Sequence, residues 1–288
     1  MKDLIHGFKR QLWKTPAIAR PLVRWKLREA ERSFSASCSQ HGFDVATTSA
    51  TASLVQSLKA QRGERSTCFV VGSGASIVQR LDELHGHTGK CAFYTCNFGG
   101  LSGLPIDLWT IELASDAARL APLSGLQADV VRACRVEQTY LVAKNIWEGK
   151  MTPSALSRDY AQVATIRDTL LPGVEHLLAG GRGSIVAFDY MFDCNQYFVI
   201  QAFTSIITLV QLAVFAGYAD IRIIGLDGGG PHFFHEFLPE GNEALTQRLR
   251  AALPAAPAGT AHAVGSPAKA MLPALRDWLA QREVALSW

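Results

Sequence analysis

Nowhere do these 288 residues contain an uninterrupted apolar stretch of about 18 residues, the length a helix needs to cross a bilayer. The longest candidate, Ile206 to Ala216, is shorter and includes Gln211, so it reads as a helix buried against a sheet. No secretory leader is expected either, because Lys9, Arg10, Lys14 and Arg20 interrupt any apolar core near the N-terminus. The six cysteines (38, 68, 91, 96, 134 and 194) form no CxxC pair. That scatter argues against zinc ligation and against a disulfide framework, and makes reduced thiols in a cytoplasmic protein the expectation. No GxGxxG or Walker phosphate loop occurs, and no Asp-X-Asp triplet that would clamp a divalent ion on a sugar nucleotide.

What is present is unevenly distributed. Charged residues make up only 18% of the chain and the formal net charge is +3, yet residues 1–34 hold nine basic and three acidic groups, net +6, leaving the remainder at −3. Within that segment Leu4, Ile5, Phe8 and Leu12 repeat at helical spacing, then Val23, Leu27, Ala30 and Phe34 after a break at Thr15-Pro16. Apolar stripes interleaved with Lys and Arg suit helices lying on an anionic membrane surface; packing against the body or another subunit is the alternative. Residues 35–50, rich in Ser, Thr and Ala, read as a linker. The expected division is therefore 1–50, a basic amphipathic helical extension and linker, and 51–288, an α/β domain, for which the resemblance given below implies nucleotide-sugar binding and catalysis. No nucleic-acid partner is expected.

Beyond residue 50 strands and helices alternate. A helix over 51–62 precedes predicted strands at Thr67–Val71, Ala92–Thr95 and Leu108–Leu113. The segment Val130–Val142 is open between helix and strand. Helix is predicted for Ser154–Leu170 and Phe198–Phe215, strand for Gly183–Phe188 and Ile221–Leu226, and a final helix and strand for Ala268–Gln281 and Val284–Ser287. Residues 228–242 read as a loop covering a site and 251–265 as an irregular connection. This alternation predicts a doubly wound, mostly parallel sheet, Rossmann-like in architecture.

Candidate chemistry gathers where these strands end. Gly72-Ser73-Gly74-Ala75-Ser76 follows a strand and opens a helix; glycines there let backbone N–H groups approach a phosphate, although a plain tight turn fits the bare motif as well. Asn97 ends the second strand and offers both donor and acceptor to a ribose or phosphate, or it caps a turn. Thr204 and Ser205 open a buried helix and could hold an anion, or bond back to their own helix. Asp227 ends the central strand on the glycine-rich run Gly225-Leu226-Asp227-Gly228-Gly229-Gly230. His232, His235 and Glu236 follow on one loop, and His262 stands alone later; each histidine is a candidate general base, and no metal site is expected.

The order and spacing of these elements resemble the bacterial lipooligosaccharide sialyltransferases, a divergent glycosyltransferase family 42-like pattern. In that family a strand leads into Gly-Asn-Gly-Pro-Ser, a second ends in Cys-Asn, and a Thr-Ser pair opens a buried helix. That helix runs through Gly-Tyr to a strand ending Gly-Ile-Asp. Here the matching residues are Gly72 to Ser76, Cys96-Asn97, Thr204-Ser205, Gly217-Tyr218-Ala219-Asp220-Ile221 and Gly225-Leu226-Asp227, with His262-Ala263-Val264-Gly265 matching a late His-X-X-Gly element. The resemblance covers roughly residues 66–288 and is patchy between 115 and 195. Three departures stand out: Ser266 where the family has its general-base histidine, Gly229 where it has a tyrosine, and Ala202-Phe203 where it has an arginine.

The resemblance implies a GT-A-variant fold and an inverting, metal-independent transfer of a CMP-activated acidic sugar. The donor would be sialic acid or a related nonulosonic or ulosonic acid such as Kdo, the acceptor a bacterial surface glycan or glycolipid, with no cofactor beyond the CMP-sugar itself. It implies that Gly72, Ser73, Gly74 and Ser76 hold the nucleotide, Asn97 the phosphate or ribose, Asp227 the ribose, and Thr204 and Ser205 the sugar carboxylate. His232 or His235 would act as base, with His262 in reserve. Such an enzyme would sit on the inner face of the membrane through residues 1–34, alone or as a homo-oligomer. Two alternatives come from other classes: a pyrophosphokinase-like enzyme using ATP and magnesium on Asp189, Asp193 and Asp227, and a non-catalytic interaction protein.

Overall fold

Among the described residues eight short strands form one sheet in the order β6-β5-β4-β3-β2-β1-β7-β8, and every neighbouring pair is parallel. They are β1 (Thr67–Val71), β2 (Ala92–Cys96), β3 (Leu108–Glu112), β4 (Tyr140–Asn145), β5 (Val163–Thr169), β6 (Val199–Ile200), β7 (Asp220–Ile224) and β8 (Ala285–Ser287). Among the described residues the helices bounded at both ends are α1 (Thr47–Arg62), α2 (Leu81–His85), α3 (Ser205–Ala216), α4 (Glu243–Ala252) and α5 (Gly265–Ala280), with 3-10 turns at Ala75–Arg80 and Gly99–Ser102. This computed structural model describes residues 47–112, 129–131, 133–134, 138–145, 163–169, 188–189, 191–192, 199–200, 204–227, 243–252 and 265–288, together with Pro21 and Trp25. The basic segment therefore lies almost wholly outside the described residues, as do residues 228–242 and 253–264.

The chain order fixes a pivot. From β1 the strands step outward through β6; the chain then returns and lays β7 on the other side of β1. Two halves thus wind in opposite directions from the β1–β7 boundary, the doubly wound α/β arrangement expected from the alternation.

Period-two alternation separates two apolar layers, as a sheet covered on both faces requires. Val70, Tyr94, Ile221 and Ile223 face Leu54 and Leu58 of α1, most of α3, and Met271 and Leu275 of α5. Phe69, Val71, Phe93, Trp109 and Ile224 face Ile77, Leu84, Leu101, Val130 and Val131. α3 is buried along almost its whole length because it packs on β1, β2, β6 and β7 with α1 beside it. It stops at Gly217, whose φ of +86° closes the helix as the Tyr218 N–H bonds to the Ala213 carbonyl at 3.2 Å.

Several expectations are corrected. The helix predicted for Ser154–Leu170 is contradicted at Val163–Thr169, which is β5; four of its seven residues are β-branched, and pairing to β4 and β6 decides the outcome. The long helix from Phe198 is likewise divided, with Val199–Ile200 forming β6 and Thr204 extended at φ −147°, ψ 158° before α3 begins. Phe188 and Asp189 are helical rather than the end of a strand; residues 183–187 lie outside the described residues. The ambiguous segment resolves into helical turns at 129–131 and 133–134, then β4. Ala251 and Ala252, read as part of an irregular connection, close α4 instead.

Candidate functional site

In a doubly wound sheet the loops after the two pivot strands part to opposite faces, leaving a crevice at the carboxyl edge. Here the loops after β1 and β7 meet instead: they bond to each other, and Ile77 after β1 and Leu245 after β7 pack on the same face of the sheet. Val71 pairs with Ile224 and with Thr95, so Gly72, Gly225 and Cys96 come next at one level.

The two loops are stitched together along their backbones. The Gly72 N–H donates to the Ile224 carbonyl at 2.7 Å and the Gly74 N–H to the Gly225 carbonyl at 3.0 Å. A Cβ at Gly72 would lie 2.4 Å from the Gly225 oxygen, and one at Gly74 2.6 Å from both that oxygen and the Asp227 carboxyl. Gly225 itself has φ +75°. These glycines thus have an explanation in the apposition of two main chains, whatever ligand the loop also meets.

Asp227 closes the junction. One carboxylate oxygen accepts the Ser76 N–H at 2.8 Å and the other accepts the Ser76 hydroxyl in a short contact. The carboxylate thereby caps the 3-10 turn after β1, although it comes from another strand. About two of its roughly four acceptor positions remain open. Sequence reasoning singled out Ser76 and Asp227 separately and did not foresee that they bond to each other, since 151 residues separate them.

Asn97 follows β2 with φ +49°, a left-handed conformation that Asn tolerates better than most residues. Its N–H donates to the Thr110 carbonyl at 2.8 Å, and its carbonyl accepts the Trp109 indole N–H at 2.7 Å. Thr95 braces the same corner by donating its hydroxyl to the Val71 carbonyl at 2.9 Å. The main chain of Asn97 is therefore held by β3.

Thr204 and Ser205 begin α3 at the same edge, where the Ile206 side chain approaches within 3.2 Å of a Cβ built on Gly72. Thr204 stands at the N-cap, yet its hydroxyl makes no cap bond and is buried with no hydrogen-bond partner among the described residues. An orphaned hydroxyl of this kind has a cost that a ligand group could relieve.

One residue of the site was missed. Lys269, in the first turns of α5, donates its ammonium to the Asp227 carbonyl at 2.7 Å. The available signal was its position: a cation near a helix N-terminus opposes the helix dipole, so helix stability does not account for it.

The pyrophosphokinase alternative requires Asp189 and Asp227 near each other, and they are not. Asp189 accepts the Trp278 indole N–H at 3.1 Å and Arg282 at 2.9 Å, at the far end of α5 from Lys269 and Asp227. Nine residues of helix, roughly 13 Å, separate Lys269 from Trp278. Asp193 lies outside the described residues, as do His232, His235 and His262. Among the described residues no group of three or more His, Cys, Asp or Glu side chains could hold a metal ion. No helix among them is long and apolar enough to cross a membrane.

Burial accounts for the thiols. It pushes the Cys68 thiol well above its ordinary value and raises Cys91 and Cys134 as well, so none of these three is poised as a thiolate nucleophile.

No protein-family model matches the chain, and no curated protein matches it. Among solved structures it is similar to the MAf glycosyltransferase from Magnetospirillum magneticum AMB-1, with a TM-score of 0.39 and 13% identity over 82% of this chain. The match takes in 44% of that protein, so this chain corresponds to less than half its length.

Proposed function

We propose that this protein is an inverting, metal-independent glycosyltransferase that takes a CMP-activated acidic sugar to a bacterial surface glycan or lipid-linked acceptor. The observation that carries the reading is the meeting of Gly72–Ser76, Asn97, Thr204-Ser205 and Asp227, far apart in sequence, at the carboxyl edge around the β1–β7 pivot. The order of those motifs is the one that resembles the sialyltransferases.

The roles follow from charge. Asp227 repels a phosphate but can accept ribose hydroxyls on the positions that Ser76 leaves open. The donor phosphate accordingly lies toward Asn97 and the start of α3, and the sugar carboxylate meets the orphaned Thr204 hydroxyl and Ser205. A base removes the acceptor proton as its oxygen bonds to the sugar C2 from the face opposite CMP. The C2–phosphate oxygen bond breaks and its electron pair leaves with CMP. His232 or His235 serves as base, with His262 in reserve.

Titration calorimetry in EDTA tests the reading directly: heat with CMP, and little with AMP or GMP, is the expected result. Absence of heat with CMP overturns it. With CMP-sialic acid as donor, His232→Ala or His235→Ala should lose transfer by about 100-fold or more while CMP affinity is kept. If His232→Ala, His235→Ala and His262→Ala all turn over normally, the base assignment fails.

A further inference from the structure

Lys269 is a cation whose surroundings leave it incompletely matched. It is half-buried, its ammonium has three donors, and its hydrogen-bond partner among the described residues is a neutral main-chain carbonyl, that of Asp227. The carboxylate of the same aspartate is turned away to Ser76. No carboxylate among the described residues forms an ion pair with Lys269. Partial burial of an ammonium costs free energy unless an anion compensates, and this one also opposes the dipole of α5.

Its position specifies the anion. Lys269 enters from the face of the sheet that carries α3 and α5, whereas the 3-10 turn capped by Asp227 lies on the other face. It is thus fixed at the carboxyl edge beside the β1–β7 pivot, on the face of the sheet that carries α3, the helix Thr204 and Ser205 open, and the carboxyl edge is where open α/β sheets receive ligands.

We propose that Lys269 binds the phosphate of the nucleotide donor and takes up the negative charge that grows there as the sugar–phosphate bond breaks. An ammonium in that place does the work a divalent ion does elsewhere: it stabilises the leaving phosphate electrostatically, with no proton needing to move. The Asp227 carbonyl holds the ammonium at this edge while its remaining donors engage the phosphate oxygens. This inference rests on the transferase reading above and names the group that lets it run without metal.

The test compares one pair of ligands that differ in the phosphate alone, cytidine and CMP, and a second that differ in the base, CMP and AMP. Calorimetry in EDTA measures cytidine, CMP and AMP against the wild-type chain and the Lys269→Met and Lys269→Arg variants, with thermal melting to verify folding. Lys269→Met should weaken CMP about tenfold or more and leave cytidine unchanged, and Lys269→Arg should restore much of the loss. Equal weakening of cytidine and CMP, or no weakening of either, overturns the role of Lys269 while leaving the transferase reading intact. If AMP binds in a Lys269-dependent way and CMP does not bind, the phosphate role stands and the CMP-sugar reading falls. If no phosphate-bearing nucleotide binds the wild-type chain, both fall.

Discussion

Gly74 shows how much of the site depends on a single missing side chain. Its N–H is committed to Gly225, and the space where a Cβ would sit is taken by the Gly225 oxygen and the Asp227 carboxyl, each at 2.6 Å. A backbone oxygen cannot swing aside as a side chain can, so Gly74→Ala must push the β1 and β7 loops apart. We expect a loss of about 1–3 kcal/mol in urea unfolding, together with loss of CMP binding because Ser76 and Asp227 separate. Unchanged stability would mean that the apposition is looser than these distances indicate. At this scale the sequence marked Gly72, Gly74, Ser76 and Asp227 as residues of interest, because glycine and short polar side chains after a strand are informative. It could not disclose that they serve one another, and Lys269 was passed over as an ordinary helix lysine.

At the scale of elements, the central strands and the edge strand β8 were legible, and β5 and β6 at the opposite edge were not. Thr67–Val71 and Ala92–Cys96 are short apolar runs bounded by turn residues, and they form almost where expected. Val163–Thr169 carries Arg167 and Asp168 among its β-branched residues, a mixture that also suits a helix, so only its pairing partners settled it. The packing of these elements carries its own pH dependence. Tyr94 of β2 and Tyr218 after α3 stack edge to face at 5.7 Å and are essentially fully buried. Burial pushes both phenols well above their ordinary value. Each keeps its proton in the fold at a pH where the unfolded chain releases it, so its contribution is complete below about pH 10 and is lost as pH rises further. Urea unfolding should show stability falling from pH 10 upward, by about 1.4 kcal/mol per pH unit for each phenol still protonated. Tyr94→Phe combined with Tyr218→Phe should make that fall shallower, the thiols of Cys68, Cys91 and Cys134, which burial also raises, supplying the remainder, and a flat wild-type profile between pH 9 and 11 would contradict the assignment.

For the whole molecule, charge is partitioned between a basic leading segment at net +6 and a body at −3. We propose that residues 1–34 hold the acidic body against an anionic membrane, beside a lipid-linked acceptor. Each basic group near such a surface contributes about 1 kcal/mol, so the attraction should weaken steeply with salt. In vesicle sedimentation the full chain should bind anionic vesicles and not neutral ones, and a chain lacking residues 1–34 should remain in solution. Binding undiminished by that deletion would show that the body itself makes the contact.

Composition and alternation determined the class of fold and the edge of the sheet where polar groups collect, because both are local: strand, turn and helix preferences act over a few residues and repeat along the chain. Which strands become neighbours is not local. The return of β7 to the far side of β1 brings Gly72 against Gly225, joins Ser76 to Asp227 and sets Lys269 at the pivot, contacts spanning up to 153 residues that exist only once both layers of side chains have packed. The tertiary structure therefore decided the site, since its geometry comes from the burial of the sheet's two faces, to which no motif of the site itself refers.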